Sequence, residues 1–122
     1  MKKIAIIGAN GQVGTEVCIH LKEIDDFEVI PICRSNSSTA FLRKLGLNCK
    51  VADMEDPEQA KEMLIDIDIV IDFSYPKGTA QKVRKITRRI ISNVLRYAPT
   101  DSSFVYMSSI VAFGVHSSSP WV

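Results

Sequence analysis

The sequence predicts an α/β protein built on a doubly wound parallel sheet with the strand order 3-2-1-4-5. Three observations predict it: short apolar runs alternate with helical patterns, glycines follow the first run, and no internal repeat interrupts the alternation. Strands that alternate with helices form parallel sheets that are covered by helices on both faces. The ligand crevice of such a sheet lies where the strand order reverses, which is here between strands 1 and 4.

Five apolar runs are predicted to be strands, because each is short and lies between helical patterns. They span Lys3–Ile7, Phe27–Cys33, Asn48–Ala52, Ile67–Phe73 and Ser103–Met107. The third run is continuous enough to be expected to be buried on both faces.

The first two predicted helices are short and amphipathic. The stripe of the first helix, at three- and four-residue spacing, consists of Val13, Val17, Leu21 and Ile24. The second helix is expected to be capped by Ser37 or Ser38 and to end at Gly46. Its apolar side is expected to hold Phe41, Leu42 and Leu45.

The third and fourth predicted helices have clear limits in the sequence. The third begins at Asp56-Pro57, because aspartate caps helices and proline is tolerated at the first helical position. Its inward residues are Ala60, Met63 and Leu64. The fourth runs from about Thr79 to Ala98, before Pro99. Its apolar stripe is predicted to be Val83, Ile86, Ile90, Val94 and Leu95.

Composition excludes several classes of protein. The chain has 122 residues, 46% hydrophobic and 24% charged, which suits one soluble globular domain over residues 1–122. Its net charge of +1 gives no reason to expect a nucleic acid, and no apolar run approaches the roughly 20 residues that span a membrane. The N-terminus lacks a signal-peptide pattern. Three widely spaced cysteines without a C-x-x-C pair favour buried thiols, a cytoplasmic location and no metal site.

A glycine loop, Gly8-Ala9-Asn10-Gly11-Gln12-Val13-Gly14, joins the first strand to the first helix. In this context Gly8 allows a tight turn, Gly11 lets a pyrophosphate approach the backbone, and Gly14 lets the helix pack close to the sheet. Backbone N–H groups and the helix dipole would hold the phosphates of a nicotinamide dinucleotide. A P-loop is excluded because no Gly-Lys-Ser/Thr follows. The predicted contacts in the loop are Gly8, Asn10, Gly11, Gln12, Val13 and Gly14.

The end of the second strand bears on the choice between NAD and NADP. An acidic residue there suits the ribose 2′-OH of NAD, whereas a basic residue suits the 2′-phosphate of NADP. The strand ends at Arg34 and Ser35, whereas Glu28 stands at its start. Arg34 can offer a fork of donors to a phosphate, and Ser35 can add a hydroxyl. We therefore expect NADP in preference to NAD, with a solvated Arg34 as the alternative.

The loop has the spacing G-x-x-G-x-x-G. Together with Cys33-Arg34-Ser35, Ala52-Asp53-Met54, Asp72-Phe73-Ser74 and Tyr106-Met107-Ser108-Ser109, it resembles the short-chain dehydrogenase/reductase superfamily. The resemblance is to the extended epimerase/dehydratase branch and to the atypical NAD(P)-binding branch, over essentially the whole chain. It implies a Rossmann-type fold in which Asp53 accepts from the adenine amino group and Met54 lies beside it. It also implies that Phe73 and Ser74 line the ribose side of the cofactor.

The same resemblance implies a catalytic serine, Ser109, at the end of the fifth strand. The tyrosine–lysine pair of the family, Y-x-x-x-K, is missing from the sequence. Four residues after Tyr75, Tyr97 and Tyr106 stand Thr79, Asp101 and Ile110. In the family the tyrosine lies beyond the serine, at positions past residue 122. We therefore expect the N-terminal part of a longer protein, truncated after strand 5, with little or no turnover of its own.

Three hypotheses for function follow. The first is the NAD(P)-binding domain of an epimerase, dehydratase or reductase that acts on a carbonyl or hydroxyl substrate, such as a nucleotide sugar. The second is a non-catalytic NADP-sensing regulator or binding module. The third is a partner-binding domain that uses the basic helix near residues 79–98. Its cations are Lys82, Arg84, Lys85, Arg88, Arg89 and Arg96. A solvated basic face is the simplest interpretation of this helix, and a homodimer interface is the functional alternative.

Overall fold

The computed structural model describes residues 1–107, in which five parallel strands form one sheet. The strands are β1 (Lys2–Ile7), β2 (Phe27–Cys33), β3 (Lys50–Val51), β4 (Ile69–Asp72) and β5 (Ser103–Tyr106). Their order is β3-β2-β1-β4-β5, and every neighbouring pair is parallel. The predicted fold class and strand order are confirmed.

Four helices cover the two faces of the sheet. They are α1 (Gln12–Lys22), α2 (Ala40–Lys44), α3 (Pro57–Met63) and α4 (Ala80–Tyr97), and a 3₁₀ turn at Ser37–Thr39 precedes α2. Ile4 and Ile6 of β1 belong to the core that α1 and α2 cover, whereas Ala5 belongs to the core that α3 and α4 cover. The helices before β3 therefore cover one face and those after it the other, and the strand order reverses between β1 and β4.

Local chemistry sets the starts of α3 and α4 much as the sequence predicts, whereas the predicted cap of α2 is wrong: Ser37 and Ser38 lie in the 3₁₀ turn, and the N-cap of α2 is Thr39. The side chain of Asp56 accepts a hydrogen bond from the Glu58 N–H at 3.2 Å, which caps α3 ahead of Pro57. The Thr79 hydroxyl oxygen accepts one from the Lys82 N–H at 3.2 Å and caps α4. Gly46 follows α2 with a φ of +84°, a conformation that glycine adopts without steric cost.

The predicted third strand is wrong in length and in burial. Only Lys50 and Val51 pair with β2, and both are exposed, whereas the sequence predicts a five-residue strand buried on both faces. The reason is that β3 is an edge strand, with a neighbour on one side only. Short edge strands are common because a long open edge invites pairing with other chains.

Three of the predicted helix faces also need correction. Val13 is exposed because α1 packs on Gly14 and Cys18 instead, and Ile24 is exposed beyond the end of α1 at Lys22. Phe41 is 58% exposed, and Leu42 is the buried residue of α2.

Leu95 of α4 is 70% exposed. The turn of the helix toward the sheet holds Ile90, Asn93 and Val94, so the adjacent Leu95 faces away from the sheet. A periodicity read from the sequence locates an apolar stripe only to within about one residue, because 3.6 residues make a turn.

The three cysteines are free thiols in one core cluster, between the sheet and α1 and α2. Burial raises the pKa of Cys18 to about 12 and also raises the pKa of Cys33 and Cys49. The thiolate is the reactive form of cysteine, so Cys18 is protonated and inert at neutral pH. The prediction that the cysteines are small buried residues is confirmed.

Two kinds of feature, a membrane-spanning helix and a cluster of metal ligands, are absent from residues 1–107. None of the helices there is both long and apolar enough to cross a membrane. In the same residues, no group of three or more histidine, cysteine, aspartate or glutamate side chains could hold a metal ion.

Candidate functional site

A cleft of about 160 Å³ lies at the carboxyl ends of the central strands. It lies beside the point where the strand order reverses, since Ile7 at the end of β1 pairs with Asp72 at the end of β4. Each of the four loops that follow β1 to β4 contributes to its lining. Its lining includes Gly8 and the polar residues Asn10, Arg34, Asp53 and Ser74. The cleft occupies the position where open α/β sheets bind ligands.

Gly8 and Gly14 are required by the fold itself. Gly8 has a φ of +72°, and a Cβ there would lie 2.7 Å from the backbone nitrogen of Ser74. A Cβ at Gly14 would lie 2.7 Å from the Gly8 carbonyl oxygen and 2.9 Å from the Cα of Ala9. The first glycine therefore allows β1 to turn against the β4 loop, and the third allows α1 to begin directly on that turn.

Gly11 differs from both, because the protein around it leaves room for a side chain. It has a φ of −72°, and the nearest atom to a Cβ there would be the Gly8 carbonyl oxygen at 3.6 Å. Gly11 is the N-cap of α1 and is exposed. Steric contacts within residues 1–107 therefore do not require glycine at this position.

The backbone N–H groups that follow Gly11 are free to bind a ligand. Residues Gln12, Val13 and Gly14 form the first turn of α1, and no hydrogen bond from their N–H groups forms within residues 1–107. No acidic side chain occupies this first turn. Unpaired N–H groups and the positive end of the helix dipole make such a turn a binding site for phosphate.

Arg34 follows β2 directly, is exposed, and lines the cleft. Its neighbour Ser35 lies in a group of hydroxyls, with its Oγ 3.1 Å from Ser37 Oγ and 2.9 Å from Ser38 Oγ. Glu28 pairs with Lys3 at the start of β1, on the opposite edge of the sheet from the cleft. Arg34, and not Glu28, therefore lies at the end of the sheet where the cleft is.

The loop after β3 brings Asp53 and Met54 to the cleft. One carboxylate oxygen of Asp53 accepts a hydrogen bond from the Glu55 N–H at 3.0 Å, and the Asp53 N–H donates to Gln59 Oε1 at 2.8 Å. The first bond holds the Asp53 side chain, and the second holds its backbone. The other carboxylate oxygen of Asp53 receives no hydrogen bond within residues 1–107. That oxygen can accept from a ligand.

Asn93 of α4 holds this loop in place, and the sequence reasoning did not find it. Its side-chain amide donates to the carbonyl oxygens of Met54 at 2.9 Å and Glu55 at 3.0 Å. The residue is buried, one position before Val94 and three after Ile90. A lone polar residue on an apolar helix face was the signal for this role, since buried amides satisfy their hydrogen bonds.

Asp72 at the end of β4 is 1% exposed and organises the loop that follows. Its Oδ1 accepts hydrogen bonds from the N–H of Ser74 at 2.8 Å and from the Ser74 hydroxyl at 2.6 Å. Its Oδ2 is buried without a partner within residues 1–107. Burial raises the pKa of Asp72, and the two bonds from Ser74 oppose this shift.

The remaining predicted site residues lie in different surroundings. Phe73 packs into the core between the sheet and α1 and α2, and is not among the residues that line the cleft. Tyr75 and Pro76 line it instead, after Ser74. Gln12 and Val13 are exposed at the start of α1. Ser109, the predicted catalytic serine, lies outside the described residues.

Comparison with known proteins gives a family match for most of the chain. The family model described as "Dihydrodipicolinate reductase, N-terminus" matches residues 2–95. A search of curated protein sequences gives no match. The predicted assignment to the short-chain dehydrogenase/reductase superfamily finds no support in the family model, and it stays a prediction.

Solved structures share the fold. L-threonine dehydrogenase from Clostridium difficile is 27% identical with a TM-score of 0.78, over 92% of this chain and 38% of that one. UDP-N-acetylglucosamine 4-epimerase from Bacillus cereus is 23% identical with a TM-score of 0.71, over 100% of this chain and 45% of that one. UDP-glucuronic acid 4-epimerase from Bacillus cereus, solved in complex with NAD, is 17% identical with a TM-score of 0.69, over 93% and 41%.

The chain spans well under two thirds of these proteins, and between 22% and 47% of other solved chains that it matches. The family model covers far more than half of the chain, and the observed fold agrees with it. The chain therefore belongs to the family of dihydrodipicolinate reductase N-terminal domains, which are NAD(P)-binding domains of the Rossmann type.

Proposed function

We propose that this chain is the cofactor-binding domain of an NADP-dependent oxidoreductase, with the pyrophosphate at the start of α1 and the adenosine in the cleft. The family supports a nicotinamide dinucleotide as the ligand class. The cleft at the carboxyl ends of β1, β2 and β4 supports the position of the adenosine.

The observation that carries the proposal is the contrast among the three glycines. Steric contacts explain Gly8 and Gly14, but around Gly11 the nearest atom to a Cβ would be 3.6 Å away. The free N–H groups of the first turn of α1 lie directly after Gly11. A pyrophosphate that approaches this turn would explain why residue 11 is glycine, because a side chain there would obstruct the phosphates.

Arg34 supports NADP over NAD. It occupies the end of β2 and lines the cleft, whereas no acidic side chain stands at that strand end. A guanidinium can bind a phosphate through two parallel hydrogen bonds. The predicted preference for NADP therefore rests on Arg34, with the hydroxyl of Ser35 beside it.

The family name favours a reductase over an epimerase or a dehydratase as the complete protein. A carbonyl or hydroxyl substrate, the catalytic role of Ser109 and a cytoplasmic location remain predictions. So does a homodimer through α4. A non-catalytic NADP sensor would need the same binding site, and turnover by the complete protein would distinguish it from an enzyme.

Calorimetric titration of the chain with NADPH and NADH tests the proposal. We expect tighter binding of NADPH, and we expect Arg34→Ala to weaken NADPH binding about 10- to 100-fold, the value of a charge-assisted hydrogen-bond pair. NADH binding should change less than about twofold, because NADH lacks the 2′-phosphate.

Arg88→Ala is the matched control, since Arg88 is an exposed arginine of α4 that does not line the cleft. Equal affinity for the two cofactors, or tighter binding of NADH, would contradict the role of Arg34. If neither cofactor binds, the proposed function itself is wrong.

A further inference from the structure

Helix α4 carries its cations on two different sides. Lys82, Lys85 and Arg89 are spaced by three and four residues, which places them on one side of a helix with 3.6 residues per turn. Arg84 and Arg88 are four residues apart and lie on another side. The basic helix is therefore not one uniform basic face.

The first set faces an open cleft of about 570 Å³ that adjoins the cofactor cleft. The residues that line both clefts are Arg34, Glu55, Tyr75, Pro76 and Ile86. Lys82, Lys85 and Arg89 line this second cleft from α4. Arg34 lines it from the end of β2, so the arginine assigned to the 2′-phosphate and the α4 cations border the same space. Arg84 and Arg88 do not line it.

Charge in this space is strongly unbalanced. Five cations line it, including Lys77 of the loop before α4, and Glu55 is the one acid among the described residues that do so. Glu55 is already paired, because its Oε1 lies 3.5 Å from Arg89 Nη1.

The side chains of Arg34, Lys82 and Lys85 make no hydrogen bond or ion pair within residues 1–107. Like charges held together without a counterion repel each other, so such a cluster favours an anionic ligand.

We propose that Lys82 and Lys85, from α4, bind the 2′-phosphate of NADP together with Arg34, from the end of β2. This inference rests on the proposed function and adds two specificity-determining residues from α4. The role of Arg89 is different: its ion pair with Glu55 ties α4 to the loop after β3, which also contains Asp53. Two lysines and an arginine that line the same cleft would offer several charged donors to a dianionic phosphate.

The test compares two double variants that remove equal charge from the same helix. Lys82→Ala/Lys85→Ala removes the proposed ligands, and Arg84→Ala/Arg88→Ala removes two cations outside the cleft. We expect the lysine variant to weaken NADPH binding roughly three- to tenfold and to leave NADH binding unchanged. The arginine variant should change neither, and Lys82→Arg/Lys85→Arg should restore most of the NADPH affinity.

The outcomes separate this inference from the proposed function. If the wild-type chain prefers NADPH but the lysine variant retains that preference, the inference is wrong and the proposed function stands. If both double variants weaken both cofactors equally, the cations act only through the general field of the helix, and the inference is again wrong. If sedimentation shows that the lysine variant breaks up a dimer without changing NADPH affinity, these lysines belong to an interface between copies. If the wild-type chain binds neither cofactor, the proposed function and this inference both fail.

Discussion

Alanine at Gly8 should destabilise the fold strongly, whereas alanine at Gly11 should not. At Gly8 the new Cβ would lie 2.7 Å from the backbone nitrogen and Cα of Ser74, and the residue has a φ of +72°. The left-handed conformation costs an alanine about 1–2 kcal/mol. Overpacking against backbone atoms that cannot turn aside costs about 1–3 kcal/mol.

The loss of freedom in the unfolded chain offsets about 0.4–1 kcal/mol of these costs. The net expected loss at Gly8 is therefore about 2–4 kcal/mol, a large part of the roughly 5–15 kcal/mol that stabilises a domain. For Gly11→Ala, the nearest contact of 3.6 Å is an ordinary one and the φ of −72° suits alanine. We expect its stability to stay within about 1 kcal/mol of wild type, since the weaker helix cap is offset by the same unfolded-state effect.

Urea denaturation followed by circular dichroism measures both free energies of unfolding. The steric reasoning is refuted if Gly8→Ala unfolds within 0.5 kcal/mol of wild type, on the order of a typical surface substitution. It is equally refuted if Gly11→Ala loses as much stability as Gly8→Ala.

Two further predictions concern buried polar groups. Burial raises the pKa of Asp72 above its ordinary value of 3.8, so the folded state holds this proton longer than the unfolded state as pH rises. The stability of wild type relative to Asp72→Asn should therefore fall above pH 3.8, by up to about 1.4 kcal/mol per pH unit, and then level off; a pH-independent difference in urea denaturation would contradict this. Asn93→Leu removes the donor from two carbonyl oxygens, so we expect a loss of about 2–3 kcal/mol, and a loss below 1 kcal/mol by the same method would contradict the anchoring role.

The sequence was sufficient to predict the sheet order, since the alternation of strands and helices leaves few arrangements for a parallel sheet. It also predicted that Arg34 and the glycine loop lie at the carboxyl ends of the strands, where Arg34, Gly8 and Asn10 line the cleft, and the roles assigned to them stay predictions. The predicted order already placed strand 3 at the edge of the sheet, but the number of its residues that pair with β2 depends on contacts with that neighbouring strand. Local patterns contain no such information.

Contacts between residues that are far apart in the sequence could not be predicted from it either. Asn93 reaches the carbonyl of Met54, 39 positions earlier, and only the fold brings them together. Lys82 and Lys85 were predicted to be part of one basic face, but they line the second cleft, whereas Arg84 and Arg88 lie on another side of α4. The direction of each side chain depends on how α4 is rotated against the sheet, and the apolar stripe sets that rotation only approximately.

The most direct test of dinucleotide binding at the glycine loop is a titration of Gly11→Ala with NADPH and NADH. We expect the variant to fold as wild type does and to bind both cofactors about tenfold or more weakly, because the new methyl group lies where the pyrophosphate approaches. Gln81→Ala is the control, since Gln81 is an exposed neutral side chain of α4 that lines neither cleft, so both affinities should be kept. Wild-type affinity for both cofactors in Gly11→Ala would contradict binding at this loop.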